Sequence, residues 1–461
     1  MDIFIKIVQL VLTLMIIIFV HEMGHFLFAR LFKIRVDKFY LFFNFSFSVL
    51  RAKRINGKWQ FSWFSSAPPK EWAEHADKTE WGLGWLPFGG YCKIAGMIDE
   101  SMDKEQLKQS PKEWEFRTKP AWQRMFVMIG GVLFNVILAM CIYWGMLFSW
   151  GEQYLANRDV TYGVQCNALA QEMGFRNGDK ILFIDGNQIE NFRDLQLDII
   201  RNQAQEVTVI RNGDTITIPI DEQYIRALMN EQQFVFLPRI PYIVKNIPDT
   251  SHNVLANLLS GDYVVGVDSV LVTAVQDVQE QLQNYKNQIV NLQVQRNDTL
   301  IFVPVAVNEN GILGIEIYQV GEVLPYVQKE YALFSALPAG VSKGVGTIKN
   351  YVKELRLIFS PKTEAYKSVG SFIMITQIFP AEWDWYAFWN ICAMLSIMLS
   401  VLNILPIPGL DGGHLMFVLY EIIARRKPNE KVYELAQWIG FIFLILLMII
   451  AFGNDIIRTF F

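Results

Sequence analysis

The sequence has few cysteines, which disulfide-rich proteins need, and few charged residues, which soluble proteins carry on their surface. Its four cysteines, among 461 residues, show neither paired nor metal-ligand spacing: Cys92, Cys141, Cys166 and Cys392. A disulfide framework is therefore not expected. Only 19% of the residues are charged and 52% are hydrophobic, which is too apolar for an ordinary soluble protein. The net charge of −4 gives no reason to expect a nucleic acid as partner.

The N-terminal apolar stretch lacks the cleavage site of a signal peptide. No small-residue site follows the first twenty residues, and the apolar pattern continues to Phe32. We therefore expect a membrane span that is retained. Because about 20 apolar residues cross the hydrocarbon core, four stretches qualify as spans. These are Phe4–Phe32, Phe126–Trp150, Phe388–Leu410 and Trp438–Ile457.

Basic residues predict how the four spans are oriented. They cluster in the segments after the first span, before the second, and between the third and fourth: Lys33, Arg35, Lys38, Lys112, Arg117, Lys119, Arg124, Arg425, Arg426 and Lys427. The positive-inside rule places these segments in the cytoplasm. Both termini and the long 151–387 segment are then expected outside.

The first span contains an unusual pair of histidines. The chain has five histidines, and two of them, His21 and His25, are four residues apart with Glu22 beside the first. Residues at i and i+4 share a helix face, so both imidazoles can bind one zinc ion while Glu22 stands over the attacking water. A structural polar cluster is the alternative, but ionisable residues inside a membrane are costly and are functional by default. We therefore predict a Zn²⁺ site.

A catalytic zinc ion needs a third protein ligand, which another segment must supply. The end of the third span, from Asn403 to His414, contains two prolines and three glycines and should interrupt the helix. Irregular backbone at this depth is tolerated where it lines a protein cavity. Asp411 is the predicted ligand; His414 is an alternative that we expect instead in a loop or behind the ligands.

The long external segment contains two similar β-rich regions. Each has a Gly-Asp turn, an apolar strand, a short helix and two further strands, and the turns are Gly178-Asp179 and Gly261-Asp262. Asn212-Gly213 predicts a type I′ hairpin in the first copy. Both copies resemble PDZ domains of the permuted bacterial type. Such folds bind extended peptides or C-termini, although these copies could equally serve as spacers that exclude bulky substrates.

A β-hairpin is predicted after the first span. Phe45, Phe47 and Val49 alternate with serines, Asn56-Gly57 forms the turn, and a return strand carries Trp59, Phe61 and Trp63. Its aromatic face could enter the bilayer while an open edge pairs with an unwound substrate. A cytoplasmic hairpin packed on the helices is the alternative. The segment Leu86–Tyr91 is a candidate neighbour, and 332–359 has the spacing of an interfacial helix.

These motifs together resemble the site-2 protease family of intramembrane zinc metalloproteases, and the tandem PDZ-like regions resemble its RseP branch (regulator of sigma-E protease). The resemblance implies that His21, His25 and Asp411 bind zinc, that Glu22 is the catalytic base, and that Asn403, with Pro406 and Pro408 in the same motif, binds substrate. Gly131 to Asn135 is similar to a helix motif of the family, although helix packing explains it equally well. The sequence departs from the family pattern at Phe42–Phe47 and at Ser368–Ile373. Because both segments are expected where substrate approaches, these departures concern substrate specificity and not the catalytic chemistry.

The predicted fold is a polytopic α-helical membrane protein with four transmembrane helices, a membrane-associated β-hairpin and two external PDZ-like domains. The expected regions are, in order, a first helix, a cytoplasmic hairpin region, a second helix, two PDZ-like domains, an interfacial helical region, and a third and fourth helix: 1–34, 35–120, 121–150, 160–225, 238–310, 325–380, 385–415 and 435–461.

The resemblance implies cleavage of transmembrane segments of single-pass membrane proteins, such as anti-sigma factors after a first cut, and of residual signal peptides. The expected location is a bacterial inner membrane, with the PDZ-like domains periplasmic and the active site toward the cytoplasm. The expected partners are these substrates, the lipid bilayer and possible PDZ ligands, with no nucleic acid. Two other functional classes are a non-catalytic PDZ receptor with a vestigial metal site and a metal transporter. The receptor is disfavoured because every expected catalytic residue is present. The transporter is disfavoured because four spans with one polar site offer no continuous ion path.

Overall fold

A computed structural model describes residues 2–87, 89–97, 110–231, 233–358, 360, 370–426 and 429–460. Two compact units share the chain. A helical unit comprises Met1–Gly151, Glu330–Leu355 and Val369–Phe461, and a β-rich unit comprises Glu152–Lys329 and Arg356–Ser368.

The described residues form the following helices: α1 (Asp2–Leu31), α2 (Ala121–Trp150), α3 (Ala168–Glu172), α4 (Leu195–Asn202), α5 (Glu222–Asn230), α6 (Val275–Leu282), α7 (Val320–Val323), α8 (Leu333–Ile358), α9 (Phe372–Ile378), α10 (Trp385–Ile404), α11 (Asp411–Ala424) and α12 (Glu430–Phe460).

The strands of the helical unit are β1 (Val36–Leu41), β2 (Phe43–Ile55), β3 (Lys58–Ser65), β4 (Glu80–Leu86) and β5 (Tyr91–Ile94). Those of the β-rich unit are β6 (Glu152–Leu155), β7 (Val164–Cys166), β8 (Lys180–Ile184), β9 (Asn187–Gln188), β10 (Glu206–Arg211), β11 (Asp214–Pro219), β12 (Phe236–Pro238), β13 (Tyr242–Asn246), β14 (Tyr263–Val267), β15 (Val270–Leu271), β16 (Ile289–Arg296), β17 (Thr299–Ala306), β18 (Glu316–Ile317) and β19 (Tyr326–Lys329).

Four helices of the described chain are long and apolar enough to cross a membrane: Asp2–Leu31, Ala121–Trp150, Trp385–Ile404 and Lys431–Asp455. The four predicted spans are thus confirmed in number and place. The third was predicted to run to Leu410, and that end is wrong, because α10 stops at Ile404 and a separate helix begins at Asp411. Pro406 and Pro408 lack the backbone N–H that a continuing helix needs.

Helix α2 is the centre of the helical unit, because α1, α10 and α11 all pack on it. Helix α1 approaches it closely at Gly24, where an added Cβ would lie 2.2 Å from the carbonyl oxygen of Gly130. On the α10 side, the Ser396 hydroxyl donates a hydrogen bond to the backbone oxygen of Asn135 at 2.9 Å. In a lipid environment the hydrophobic effect does not drive helices together. Close contacts between small residues and hydrogen bonds from hydroxyl groups stabilise helix packing there instead.

The predicted β-hairpin is confirmed as β2 and β3. The two strands pair in antiparallel register around Asn56 and Gly57, which have the positive φ values (48° and 80°) that a type I′ turn needs. Along β3, Trp59, Phe61 and Trp63 are 51%, 58% and 63% exposed, so the β3 part of the predicted aromatic face is present. Their partners across the hairpin are not the predicted aromatic residues of β2 but Arg54, Ala52 and Leu50.

The hairpin belongs to a five-stranded sheet with the order β3-β2-β4-β1-β5. The predicted neighbour of the hairpin, Leu86–Tyr91, is split: its first residue ends β4, which pairs with β2, and its last begins β5 at the opposite edge. Phe88 of that segment lies outside the described residues. The sheet therefore has two open edges in the described chain, β3 and β5.

In the described chain, the β-rich unit has a four-stranded sheet, a six-stranded sheet and two two-stranded sheets, and the two larger sheets carry the same Arg–Asp contact. In the first domain, Arg211 forms a bidentate pair with Asp179 (2.8 and 2.7 Å). In the second, Arg296 forms the same pair with Asp262 (2.7 and 2.6 Å). The repeat predicted from the matching Gly-Asp turns is thus present at the level of individual contacts.

Strand pairing continues past the expected domain ends at 225 and 310. Strand β12 pairs with β7 of the first domain, and β18 pairs with β13 of the second. These late strands are joined to their partners by hydrogen bonds across a long sequence separation. Local patterns of alternation do not reveal such pairs.

Helix α8 covers the 333–358 stretch and runs alongside α2. Trp144 donates its indole N–H to the oxygen of Leu333 at 2.8 Å, and Gly340 and Gly344 face Trp144 and Met140. Since residue numbers rise on α8 as they fall on α2, the two helices are antiparallel. The first half of α8 therefore lies beside a candidate span.

Candidate metal centre

The metal centre begins with two imidazoles on one face of α1. His21 and His25 are 7% and 6% exposed, and their Nε2 atoms lie 3.3 Å apart. The i, i+4 spacing on a continuous helix brings them together, as the sequence predicted. Gly131 of α2 leaves the space that the two rings fill, because an added Cβ there would lie 2.5 Å from His25 Nε2 and 2.6 Å from His21 Cε1.

Asp411 completes the cluster from the first residue of α11. Its Oδ2 lies 3.1 Å from His21 Nε2 and 3.3 Å from His25 Nε2. Gly412 and Gly413 allow this approach, since an added Cβ at either position would overlap the backbone of residues 404–408. The interrupted segment between α10 and α11 thus turns the carboxylate back toward α1.

The spacing of the three atoms fits a tetrahedral metal ion. Zinc binds nitrogen and oxygen at about 2.0–2.2 Å, so two ligand atoms of a tetrahedron lie roughly 3.3–3.6 Å apart. The three observed separations are 3.1, 3.3 and 3.3 Å. Three protein atoms leave the fourth corner for water or substrate, which is the pattern of a catalytic site.

The hydrogen bonds around the cluster also favour a cation. His25 Nδ1 lies 2.8 Å from the carbonyl oxygen of Val127, which can only accept, so Nδ1 donates and Nε2 carries the lone pair of the neutral ring. Asp411 Oδ2 is buried and has no hydrogen-bond partner among the described residues. Lone pairs this close require a positive charge between them, either a proton or a metal ion.

Glu22 lies next to the metal cluster and beneath the edge of the sheet. Its carboxylate is hydrogen-bonded to the backbone of Cys92 in β5. Gly90, just before β5, allows this close packing because an added Cβ would lie 2.7 Å from the oxygen of Tyr40 and 3.5 Å from Glu22 Cγ. The glycine-rich segment therefore places an open strand edge beside the carboxylate.

Three further predicted residues lie at the end of α10 and beyond it. Asn403 Nδ2 is 3.3 Å from His21 Nε2, so its amide lies inside the cluster. Pro406 is exposed, whereas the carbonyl group of Pro408 packs against Gly440 of α12. The structure thus brings Asn403 to the metal centre and turns Pro408 toward a neighbouring helix.

The alternative ligand, His414, points elsewhere. Its Nδ1 lies 2.5 Å from the Tyr433 hydroxyl of α12. The cluster of potential metal ligands in the described chain consists of His21, His25 and Asp411. The backbone oxygen of Val127 was missed by sequence reasoning, and no side-chain pattern could have indicated it.

Comparison with known proteins identifies the family. The pattern of peptidase family M50 matches residues 9–65 and 58–447. A regulator of sigma E protease from Haemophilus influenzae is 25% identical over 97% of this chain and 98% of its own length. Proteins named as candidate zinc metalloproteases in Xylella fastidiosa (25%; 97% and 98%) and Vibrio cholerae (24%; 99% and 99%) are similar to the same extent.

A family pattern that spans nearly the whole chain agrees with the donor set at the end of α1 and with the four apolar helices. The chain belongs to peptidase family M50, the site-2 protease family, and is a membrane zinc metalloprotease.

Proposed function

We propose that this protein is an intramembrane endopeptidase that cuts transmembrane segments of single-pass membrane proteins, with His21, His25 and Asp411 as zinc ligands and Glu22 as the base. The observation that carries the proposal is the tetrahedral spacing of three donor atoms within an apolar helix bundle. His21 lies about 15 Å from the end of α1 at Leu31, which is well inside a span.

Each residue of the site has a distinct task. Zinc held by the three donors supplies Lewis acidity, which acidifies water and polarises a carbonyl group. Glu22 accepts the proton of the attacking water and delivers it to the leaving amine nitrogen. Asn403 donates its amide N–H groups to substrate backbone, from a position 3.3 Å from His21 Nε2. Pro406 and Pro408 keep the backbone after Asn403 out of helical form, so that the chain can turn Asp411 back toward α1.

A substrate strand would pair with β5, not with the hairpin. Neighbouring strands are about 4.8 Å apart, so the outer edge of β3 lies roughly 19 Å from β5 across four spacings. Only the β5 edge lies beside Glu22, through Cys92. A peptide bond in a helix is already hydrogen-bonded, and strand pairing at β5 would replace those bonds after unwinding. This proposal moves the pairing edge from the hairpin, where sequence reasoning put it.

The hairpin would instead contact lipid. Its exposed aromatic side chains, Trp59, Phe61 and Trp63, lie along one strand without a covering element among the described residues. Aromatic rings of this kind are favoured at the membrane interface. Insertion of this face would hold the sheet at the level of the site.

The proposed membrane, its orientation and the substrates rest on the distribution of basic residues and on the similar proteins. We propose a bacterial inner membrane, with the basic segments after α1 and before α2 in the cytoplasm and the β-rich unit, as two PDZ-like domains, in the periplasm. Lys427, one of the basic residues that predict this orientation, lies outside the described residues. The same holds for Ser368 and Val369 of the segment 368–373, where the sequence departs from the family pattern. Anti-sigma-type proteins after a first cut and residual signal peptides are the proposed substrates; the PDZ-like domains would bind peptides or exclude intact proteins.

The test is cleavage in liposomes that contain the purified chain and a single-pass model substrate. Glu22→Gln should retain zinc and lose at least about 100-fold in rate, because it removes the proton acceptor. Glu71→Gln, in an exposed segment, should cleave at the wild-type rate. Equal cleavage by Glu22→Gln and wild type would refute the proposed site, in which Glu22 is the base.

A further inference from the structure

Asn135 is a wholly buried amide directly behind the metal centre. It lies on α2 with 0% of its surface exposed, and its Nδ2 is 3.5 Å from His21 Nδ1. That ring nitrogen is the one opposite Nε2, which faces His25 and Asp411. Asn135 Oδ1 is buried and has no hydrogen-bond partner among the described residues.

A histidine that binds a metal through Nε2 must carry its proton on Nδ1, and that N–H group needs an acceptor. For His25 the acceptor is the backbone oxygen of Val127 at 2.8 Å. For His21 the group at this position is the Asn135 amide. The two ends of an amide have nearly the same shape, so a half-turn of the side chain puts Oδ1, now without a partner, in reach of Nδ1–H.

Helix packing does not account for this amide. The polar contacts between α2 and α10 come from Ser396 and Ser400, which bond to the backbone oxygens of Asn135 and Val132 at 2.9 and 3.3 Å. None of these bonds uses the Asn135 side chain. The side chain is directed instead at the metal-ligand face of α1.

We propose that Asn135 is a positioning residue: its Oδ1 accepts the Nδ1–H of His21 and thereby keeps the lone pair of Nε2 available to zinc. The proposal rests on the proposed role of His21 as a zinc ligand. It gives the Gly131–Asn135 segment a joint function, because Gly131 makes room for the two rings and Asn135 sets the tautomer of one of them.

The test is the zinc dissociation constant of the full-length chain in detergent, measured by competition with a chelator. Asn135→Leu, which keeps the shape and removes the acceptor, should bind zinc about 10–100-fold more weakly. Asn135→Asp, which retains an oxygen acceptor, should bind at least as tightly as wild type. Ser396→Ala is the matched control, since it removes a buried α2–α10 bond without touching His21, and it should leave zinc affinity unchanged.

Wild-type affinity in Asn135→Leu would overturn the proposal, and so would equal weakening in Asn135→Leu and Ser396→Ala. If Asn135→Leu does not fold, Asn135→Ala replaces it, with ¹⁵N imidazole spectra as the second readout. In the zinc-loaded chain, the Nδ1–H of His21 should be hydrogen-bonded in the wild type and should lose that bond, seen as a shift of its ¹⁵N and ¹H signals, in Asn135→Ala; the same shifts in both would contradict the proposal. Failure of the proposed zinc site itself would appear separately, as full zinc binding by His21→Gln.

Discussion

Gly131 decides whether both imidazoles can face one ion. It lies on α2 directly against the rings, with His25 Nε2 2.5 Å and His21 Cε1 2.6 Å from the position of an added Cβ. Real side chains do not approach so closely, so a methyl group here must displace at least one ring. Rings at ligand distance tolerate little displacement, since the three donor separations already match a tetrahedron.

Gly131→Ala should therefore lower zinc affinity at least about tenfold, as loss of supporting contacts around a metal commonly does. The chain offers a matched control on the same helix, because an added Cβ at Gly145 meets nothing within 4 Å. Chelator competition on both variants measures the effect. Equal affinities for Gly131→Ala and Gly145→Ala would contradict the proposed geometry.

At the residue scale, the sequence predicted which side chains form the cluster, whereas it did not predict the groups that contact them from α2. The i, i+4 rule brings His21 and His25 together on any helix, and the proline-rich break pointed to Asp411. The contacts of Val127 and Asn135 depend on how α2 is rotated against α1. No local pattern encodes that rotation.

Helix α11 carries Asp411 at its first residue and is fixed at its far end by an ion pair. Arg124 Nη2 of α2 lies 2.5 Å from Glu421 Oε1, and the two side chains are only 11% and 16% exposed. Ten residues of helix separate Asp411 from Glu421, about 15 Å. The pair thus ties α11 to α2, and we propose that it helps to position Asp411, the proposed third ligand.

Arg124→Gln and Glu421→Gln should each weaken zinc binding, and a coupling of about 0.5–3 kcal/mol between the two positions is expected for partners in contact. The exchange Arg124→Glu with Glu421→Arg should restore part of the loss. Lys78→Gln, which breaks an exposed pair with Asp77, serves as the control in the same unit. Additive effects of the two single changes on zinc affinity would show that the pair does not position α11.

In the second β-rich domain, Arg296 stabilises the ionised form of the Asp262 side chain. Burial raises the pKa of Asp262, but hydrogen bonds from Arg296 and from the Leu259 N–H outweigh it, and the pKa is lowered from its ordinary value. A carboxyl group whose pKa is lower in the folded state stabilises the fold above its unfolded pKa, about 3.9. That stabilisation is lost as the pH falls through the folded pKa.

Asp262→Asn should therefore destabilise this domain at pH 7 by about 2 kcal/mol, the usual value for a hydrogen bond to a charged group. The difference from wild type should shrink as the pH falls below about 4. Hydrogen exchange of the β16 amides, compared at the same pH, measures it. Asp298→Asn, at an exposed turn, is the control; a difference that stays constant down to pH 2 would argue against the ion pair.

Sequence patterns predicted the elements better than their partners. The hairpin, the four apolar helices and the repeated Gly-Asp turns all follow from local periodicity and turn residues. The pairing of β5 with β1, and of β12 and β18 with distant strands, joins segments far apart in sequence. Such register depends on three-dimensional packing, which is why local patterns did not indicate that β5 lies beside Glu22.

For the whole molecule, we infer that a single zinc ion would supply the chemistry of the reaction, bound inside the helical unit by residues from its first and penultimate helices. The donor atoms come from α1 and α11, which are brought together on α2. The proposals for strand pairing at β5 and for the role of Asn135 both depend on the ion being at that point.

The most direct test is an anomalous difference map recorded at the zinc absorption edge from crystals of the zinc-loaded chain. The account predicts one peak in the helical unit, about 2.0–2.2 Å from His21 Nε2, His25 Nε2 and Asp411 Oδ2. The peak should be absent from crystals of Asp411→Asn grown under the same conditions. A zinc peak at His414, or none near His21 and His25 in zinc-loaded crystals, would contradict it.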